Sequence, residues 1–138
     1  MTLDARSLRQ FIRERAGSRC EYCHLLDFAV PVSLFHVEHI LAKQHGGADD
    51  AGNLAWCCHR CNLHKGPNLS GRDPLTENVA RLFDPRRQTW KRHFKWYGAI
   101  LLGRTQTGRA TVAVLDVNEP QRVELRRAIM DDGDWPND

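Results

Sequence analysis

The chain has 138 residues, of which 41% are hydrophobic and 27% are charged, and its formal net charge is +3 at pH 7. This length and apolar content predict one domain with a modest core and room for a small appendage. No segment approaches the roughly 18 apolar residues of a membrane span, which excludes a membrane-spanning class, while the mild positive charge permits nucleic-acid binding without requiring it.

The N-terminal segment predicts a helix over residues 4–16, because Leu8, Phe11 and Ile12 form an apolar stripe among arginines. Gly17 supplies a stop signal for this helix. The charged residues interrupt any apolar run, so the segment does not resemble an export signal. We therefore expect a cytoplasmic protein.

The middle of the chain predicts two strands and a helix, with a loop between the strands. Residues 29–40 are rich in β-forming side chains, and residues 53–57 form a second, shorter strand pattern. Residues 44–52 are rich in Gly and Asp and predict the loop. A helix is expected to start at about Asn62. This order of elements predicts an α+β fold.

Two Cys-x-x-Cys pairs enclose this middle segment: Cys20 with Cys23, and Cys58 with Cys61. Four thiolates in two close pairs suit a tetrahedral zinc site, which can hold together two parts of a small chain. The paired spacing, in a chain without an export signal, favours a metal over disulfides. The fifth cysteine, Cys57, is left over and is expected to be a buried strand residue.

A change of composition divides the chain. Residues 66–73 concentrate Gly, Pro, Asn and Ser, which predicts a linker. We therefore predict a core with its N-terminal helix over residues 1–72 and a C-terminal extension over residues 73–138. The extension is expected to pack on the core.

The extension carries a segment, residues 86–97, that is both basic and aromatic. Residues 98–102 are apolar and are expected to pair back on it as a hairpin. The spacing of Trp90, Phe94 and Trp96 fits one face of a strand, which predicts that these rings are buried. Two helices are expected to follow, over residues 107–117 and 119–130.

The polar residues inside the cysteine framework carry the chemistry. The pair Glu38-His39 is followed by Asn53 and then by Asn62 after the second cysteine pair. This order resembles the HNH endonucleases, whose pattern is an Asp/Glu-His pair, then an Asn, then a His or Asn at the head of a helix. The resemblance implies a ββα-metal core.

Further features are similar to the zinc-bearing, small stand-alone bacterial branch of that family. They are the two framing cysteine pairs and the Asn-x-x-Lys-Gly ending at residues 62–66. The resemblance covers residues 16–69. Glu38 in place of Asp and Asn62 in place of His are both variants that occur in the family, and they leave the preferred catalytic ion open.

Roles follow from the resemblance and from the residue types. His39 would be the general base, because a histidine can take the proton of an attacking water near neutral pH. Glu38 and Asn62 would bind one catalytic ion, Mg²⁺ or Mn²⁺, since hard cations prefer oxygen ligands. Asn53 would position His39 through a hydrogen bond in the loop. Two alternatives stay open: Asn62 as a helix N-cap and Asn53 as a turn residue.

Basic residues outside this set are the expected DNA contacts, because Lys and Arg neutralise phosphates and release counterions. The alternative for each is an ordinary solvated side chain. His36 stays open between an extra ligand and a half-buried strand residue. The expected DNA contacts are His64, Lys65, Arg86, Arg87, Lys91 and Arg92.

The sequence therefore predicts a metal-dependent endonuclease that nicks or breaks double-stranded DNA and leaves 5′-phosphate and 3′-hydroxyl ends, as the resemblance implies. Its cofactors would be a structural Zn²⁺ and a catalytic Mg²⁺ or Mn²⁺. The alternative is a catalytically inactive, zinc-stabilised module that binds nucleic acid. RNA as the substrate and the oligomeric state both stay open.

Overall fold

The structure, a computed structural model, describes residues 4–135. Helix α1 (Ala5–Arg15) begins where the sequence predicts it, because the Asp4 carboxylate caps its first turn by accepting a hydrogen bond from Ser7 N at 2.8 Å. It ends at Gly17, whose positive φ of 68° suits a residue without a side chain. Ile12 is buried on its inner face.

Two antiparallel strands and a helix form the centre of the fold. Strand β1 (His36–His39) pairs with β2 (Leu54–Cys57) so that His36 faces Cys57 and His39 faces Leu54. Helix α2 (His59–Lys65) follows β2 directly. This is the predicted ββα arrangement, and the α+β class is confirmed.

The C-terminal extension contributes two small hairpins and three helices. The first hairpin pairs β3 with β4, and the second pairs β5 with β6, both antiparallel. The elements in chain order are β3 (Ser70–Arg72), β4 (Val79–Arg81), α3 (Trp90–His93), β5 (Phe94–Tyr97), β6 (Ile100–Gly103), α4 (Gln106–Val114) and α5 (Pro120–Asp131).

Two local expectations differ from the structure. The segment predicted as a linker contains β3, so the first hairpin crosses the proposed boundary after residue 72; the division into two parts stays a prediction. Trp90 begins helix α3 and does not share a strand with Phe94 and Trp96. The aromatic rings nevertheless meet, since Trp90 lies 5.2 Å from Phe94 and 6.0 Å from Trp96 between ring centroids.

One hydrophobic cluster runs through both parts of the chain. Phe35 and Trp56 come from the ββα unit, while Phe83, Phe94 and Leu115 come from the extension. Aromatic rings of this size supply most of the buried area in a small core. None of the helices within residues 4–135 is both long and apolar enough to cross a membrane.

Candidate active site and metal centre

The four predicted cysteine ligands meet in one buried cluster. The sulfur atoms of Cys20, Cys23, Cys58 and Cys61 all lie within 4.8 Å of one another, and Cys23 Sγ is 3.7 Å from Cys58 Sγ. A tetrahedral zinc with Zn–S bonds of about 2.3 Å requires sulfur atoms about 3.8 Å apart. The cluster can therefore hold a metal ion, and its donor set fits zinc.

Local structure explains how the two pairs come together. The first pair closes a tight turn that is fastened to β2, because Glu21 N donates to Trp56 O and Trp56 N donates to Glu21 Oε2, both at 2.9 Å. The second pair lies at the start of α2, where Cys58 is the N-cap and its sulfur accepts from Cys61 N at 3.5 Å. A thiolate at a helix N-terminus is favoured by the helix dipole.

Cys57, the leftover cysteine, is buried at the end of β2, and burial raises the pKa of its thiol well above the ordinary value. Its sulfur donates to Cys58 O at 3.4 Å and is not among the clustered ligand atoms. The expectation of a buried strand residue is confirmed.

An arginine from the extension contacts the metal centre, which sequence reasoning missed. Arg122 Nη2 donates to Cys61 Sγ at 3.0 Å, and its Nη1 donates to Leu115 O at 2.6 Å and to Asp116 O at 3.0 Å. Burial lowers the pKa of Arg122, but the nearby cysteines outweigh it and raise the pKa above the usual value. Helix α5 is thereby attached to the cysteine cluster.

His39 lies at the opposite end of the β1–β2 hairpin, with 24% of its side chain exposed. Its Nε2 is 2.7 Å from Asp49 Oδ1 in the loop between the strands. The hydrogen bond with His39, and then that with Lys43, lowers the pKa of Asp49. Asp49 was expected only as a turn residue; its one sequence signal is an acidic side chain in the loop that follows the Glu-His pair.

Asn53 cross-links the two ends of this loop. Its Oδ1 accepts from Leu41 N at 2.9 Å, and its Nδ2 donates to Leu41 O at 2.9 Å and to Ala48 O at 2.8 Å. The loop also requires Gly47, because a Cβ there would lie 1.7 Å from Leu41 O. The Asn53 side chain thus holds the backbone just after His39, at Leu41, and just before Asp49, at Ala48.

Glu38 points to the inside of the molecule and is only 5% exposed. Its Oε2 accepts from the Tyr22 hydroxyl at 2.8 Å, and its Oε1 lies 2.5 Å from Lys65 Nζ. The second contact is an ion pair without hydrogen-bond geometry, since Oε1 has no hydrogen-bond partner among the described residues. Burial raises the pKa of Glu38, against the opposing effect of Lys65.

Lys65, expected to contact DNA, is instead 2% exposed. Its ammonium donates to Ile40 O at 3.0 Å and His39 O at 3.4 Å besides pairing with Glu38. Buried charged side chains in proteins are paired and hydrogen-bonded, as Lys65 is here. Its position joins the end of α2 to the backbone of His39 and Ile40.

Asn62 is half-buried in the fourth position of α2. The N-cap alternative is wrong, because Cys58 caps the helix. Within residues 4–135, the Asn62 side chain makes no hydrogen bond, so its carbonyl oxygen is free to bind a ligand.

The remaining predicted residues fall into two groups. Arg87, Lys91 and Arg92 are exposed and His64 is half-buried, as DNA contacts require. Arg86 is instead held by Glu21, and burial lowers its pKa to about 10. His36 is half-buried, and its Nε2 lies 3.1 Å from Nδ1 of His59, so the pair forms a separate contact at the start of α2.

Comparison with known proteins supports the assignment of this region. Residues 20–68 match the family model described as HNH endonuclease. This region is therefore similar to an HNH endonuclease domain. It is also similar to the Septu protein PtuB of Bacillus thuringiensis, with 29% identity over 120 residues that cover 85% of this chain and 43% of that protein. The chain thus spans less than half the length of this relative. No solved structure matches significantly.

Proposed function

We propose that this protein is a metal-dependent endonuclease that hydrolyses phosphodiester bonds of double-stranded DNA, with a structural Zn²⁺ in the cysteine cluster. The observation that carries the proposal is the partly exposed His39 imidazole at the end of β1, which lies beside Asp49 in a loop that Asn53 cross-links, within the region that matches the HNH endonuclease model. Reduced, metal-binding thiols suit a protein of the cytoplasm.

The hydrogen bond to Asp49 assigns the His39 tautomer. An ionised carboxylate can only accept, so in the neutral imidazole Nε2 carries the hydrogen and Nδ1 is the acceptor nitrogen. Within the described residues, Nδ1 of His39 has no hydrogen-bond partner. Nδ1 is therefore the atom that would accept the proton of an attacking water, while Asp49 would stabilise the positive charge that His39 then gains.

Of the two residues expected to bind the catalytic divalent ion, Asn62 is available and Glu38 is not. The free carbonyl oxygen of Asn62 can bind Mg²⁺ or Mn²⁺, which when bound would neutralise charge developing on the phosphate and the leaving oxygen. Glu38 can join it only after its carboxylate leaves Lys65 and Tyr22. We therefore expect weak ion binding to the free protein.

Supercoiled plasmid tests the function directly. Purified protein with Mg²⁺ or Mn²⁺ should nick or linearise it, and the His39→Ala variant and an EDTA control should not. A nick that DNA ligase seals identifies the expected 5′-phosphate and 3′-hydroxyl ends. Cleavage that survives in His39→Ala, or ends of the opposite polarity, would contradict this mechanism.

The burial of Glu38 favours one second candidate, a zinc-stabilised module that binds nucleic acid without cutting it. A carboxylate committed to an ion pair is not available as a metal ligand. In that case folded, zinc-loaded protein would bind duplex DNA yet leave it intact with every divalent ion tried. Calorimetry would then show no added divalent ion binding to the protein–DNA complex.

A further inference from the structure

A groove leads away from the loop that carries His39. Its first part, a cavity of about 230 Å³, is bordered by Ile40 and Leu41, the two residues that follow His39. The opposite border comes from the extension and includes Arg81 and Arg87. The groove therefore starts at the two residues that follow the candidate general base in the chain.

The groove continues along the extension. Arg87 also borders a second cavity of about 390 Å³, which Arg92 and Thr105 line farther on. Arg87 lines both cavities, so the two cavities are neighbours and Arg81, Arg87 and Arg92 border them. We call these three arginines and the two cavities the arginine groove. Arg81 was not among the DNA contacts expected from the sequence.

The charges of the arginine groove are largely unneutralised. Within residues 4–135, neither Arg81 nor Arg92 forms an ion pair or a side-chain hydrogen bond, and both are exposed. Asp84 is the acidic residue among those that line the groove, and its carboxylate is already hydrogen-bonded. Its carboxylate accepts from the backbone nitrogens of Arg86 and Arg87 and from Arg87 Nη1 at 3.1 Å.

His93 also lines the second cavity; burial lowers its pKa, which disfavours a positive charge there, and its Nδ1 lies 2.6 Å from the Thr105 hydroxyl. Among the described residues, the groove thus presents two guanidinium groups without an ion pair, those of Arg81 and Arg92, and a third, that of Arg87, which pairs with Asp84. A row of guanidiniums along an open groove matches the phosphate backbone of a nucleic acid, because Arg forms strong, directional hydrogen bonds with phosphate oxygens.

We infer that the arginine groove holds the phosphate backbone of duplex DNA on the side of the scissile bond nearest Ile40 and Leu41. The inference rests on the proposed function, since it places the substrate by its distance from His39. It assigns phosphate binding to Arg81, Arg87 and Arg92. Lys65 and Arg86 are no longer expected to contact DNA, because they form ion pairs with Glu38 and Glu21 within the protein.

Binding is best measured apart from cleavage. In a His39→Ala background without added divalent ion, fluorescence anisotropy gives the Kd for a labelled duplex at several salt concentrations. Arg81→Gln, Arg87→Gln and Arg92→Gln would be compared with Arg127→Gln, an exposed arginine of α5 that changes the net charge equally. Zinc content and melting temperature check that each variant is folded.

Each phosphate contact contributes a slope of about 0.9 to the dependence of log Kd on log salt. We expect the slope of each groove variant to be smaller by about 0.9, the contribution of one phosphate contact, and its Kd to be several-fold higher. Arg127→Gln should have the same slope and Kd as the His39→Ala protein. Equal Kd values and slopes for groove and control variants would overturn the inference. So would a groove effect seen with duplex RNA and absent with DNA.

The cleavage assay separates this inference from the proposed function. If the wild-type protein cuts plasmid but the groove variants cut and bind as well as it does, the endonuclease stands and the groove is refuted. If nothing cuts but the groove variants lose DNA binding, the groove stands and the endonuclease is refuted.

Discussion

The two ends of the β1–β2 hairpin differ sharply, although about 10 Å separates them along the strands. At one end, Cys58 follows β2 and joins three other cysteines in a buried cluster. At the other end, His39 and Asp49 are open to solvent and rest on a loop held by side-chain hydrogen bonds. The closed end holds the fold together, and the open end is where we propose that the chemistry takes place.

The largest effect should come from removing a cysteine of the closed end. Cys58→Ser should abolish zinc binding and the cooperative melting transition, because structural zinc contributes about 10–16 kcal/mol to folding in comparable sites. Elemental analysis and circular dichroism measure both. Cys57→Ser is the matched control and should keep one zinc per chain. Full zinc content in Cys58→Ser would refute the ligand assignment.

Lys65 lies between the two ends, so its loss should have the next largest effect. Lys65→Met leaves the Glu38 carboxylate buried without its counter-charge, which costs about 3–5 kcal/mol of unfolding free energy. Chemical denaturation would measure the loss.

The double variant Glu38→Gln with Lys65→Met removes the stranded charge and should recover part of that free energy. If Lys65→Met is as stable as the wild-type protein, the ion pair seen between Lys65 and Glu38 does not contribute to folding.

Asn53 tests the open end alone. Asn53→Ala removes three hydrogen bonds and leaves the Leu41 and Ala48 backbone groups without their partner, so we expect a loss of about 2 kcal/mol of stability. Plasmid nicking should fall at least tenfold because His39 is less well positioned. Zinc content should not change. Gln44→Ala, an exposed residue of the same loop, is the control and should nick normally.

Asp49 should affect chemistry with almost no effect on folding. Asp49→Ala removes an exposed ion pair, so its melting temperature should match that of the wild-type protein. Nicking should fall about tenfold, because the His39 tautomer is no longer set by a carboxylate. The initial nicking rate at fixed Mg²⁺ would show this. An unchanged rate would mean that another group orients the imidazole.

The sequence correctly predicted the features that depend on residues close together in the chain. The cysteine pairs, the Glu-His pair and the order of strands and helix are local patterns, and the α+β fold follows from them. It missed contacts between distant residues. Nothing in the spacing of Lys65 shows that its side chain turns inward to Glu38, 27 positions earlier in the chain. The contact between Arg122 and Cys61 spans 61 residues and depends on where the extension packs.

The same limit explains the misplaced Trp90. Its spacing from Phe94 and Trp96 fits a strand face, but tertiary contacts decide otherwise, since its Nε1 donates to Tyr22 O at 2.9 Å in the first cysteine turn. Asn62 shows the opposite case. Its residue type suits a helix cap, and only the position of Cys58 at the start of α2 reveals that its side chain is left free.

The hydrogen bond from Arg122 to Cys61 implies an order of assembly during synthesis. All four cysteines leave the ribosome long before α5 does, so the sulfur cluster can take up its ion while the C-terminal helix is still being made. A thiolate formed by that uptake is a much stronger acceptor for a guanidinium than a protonated thiol is. We therefore expect cells starved of zinc to accumulate a chain whose last helix is undocked and open to proteases.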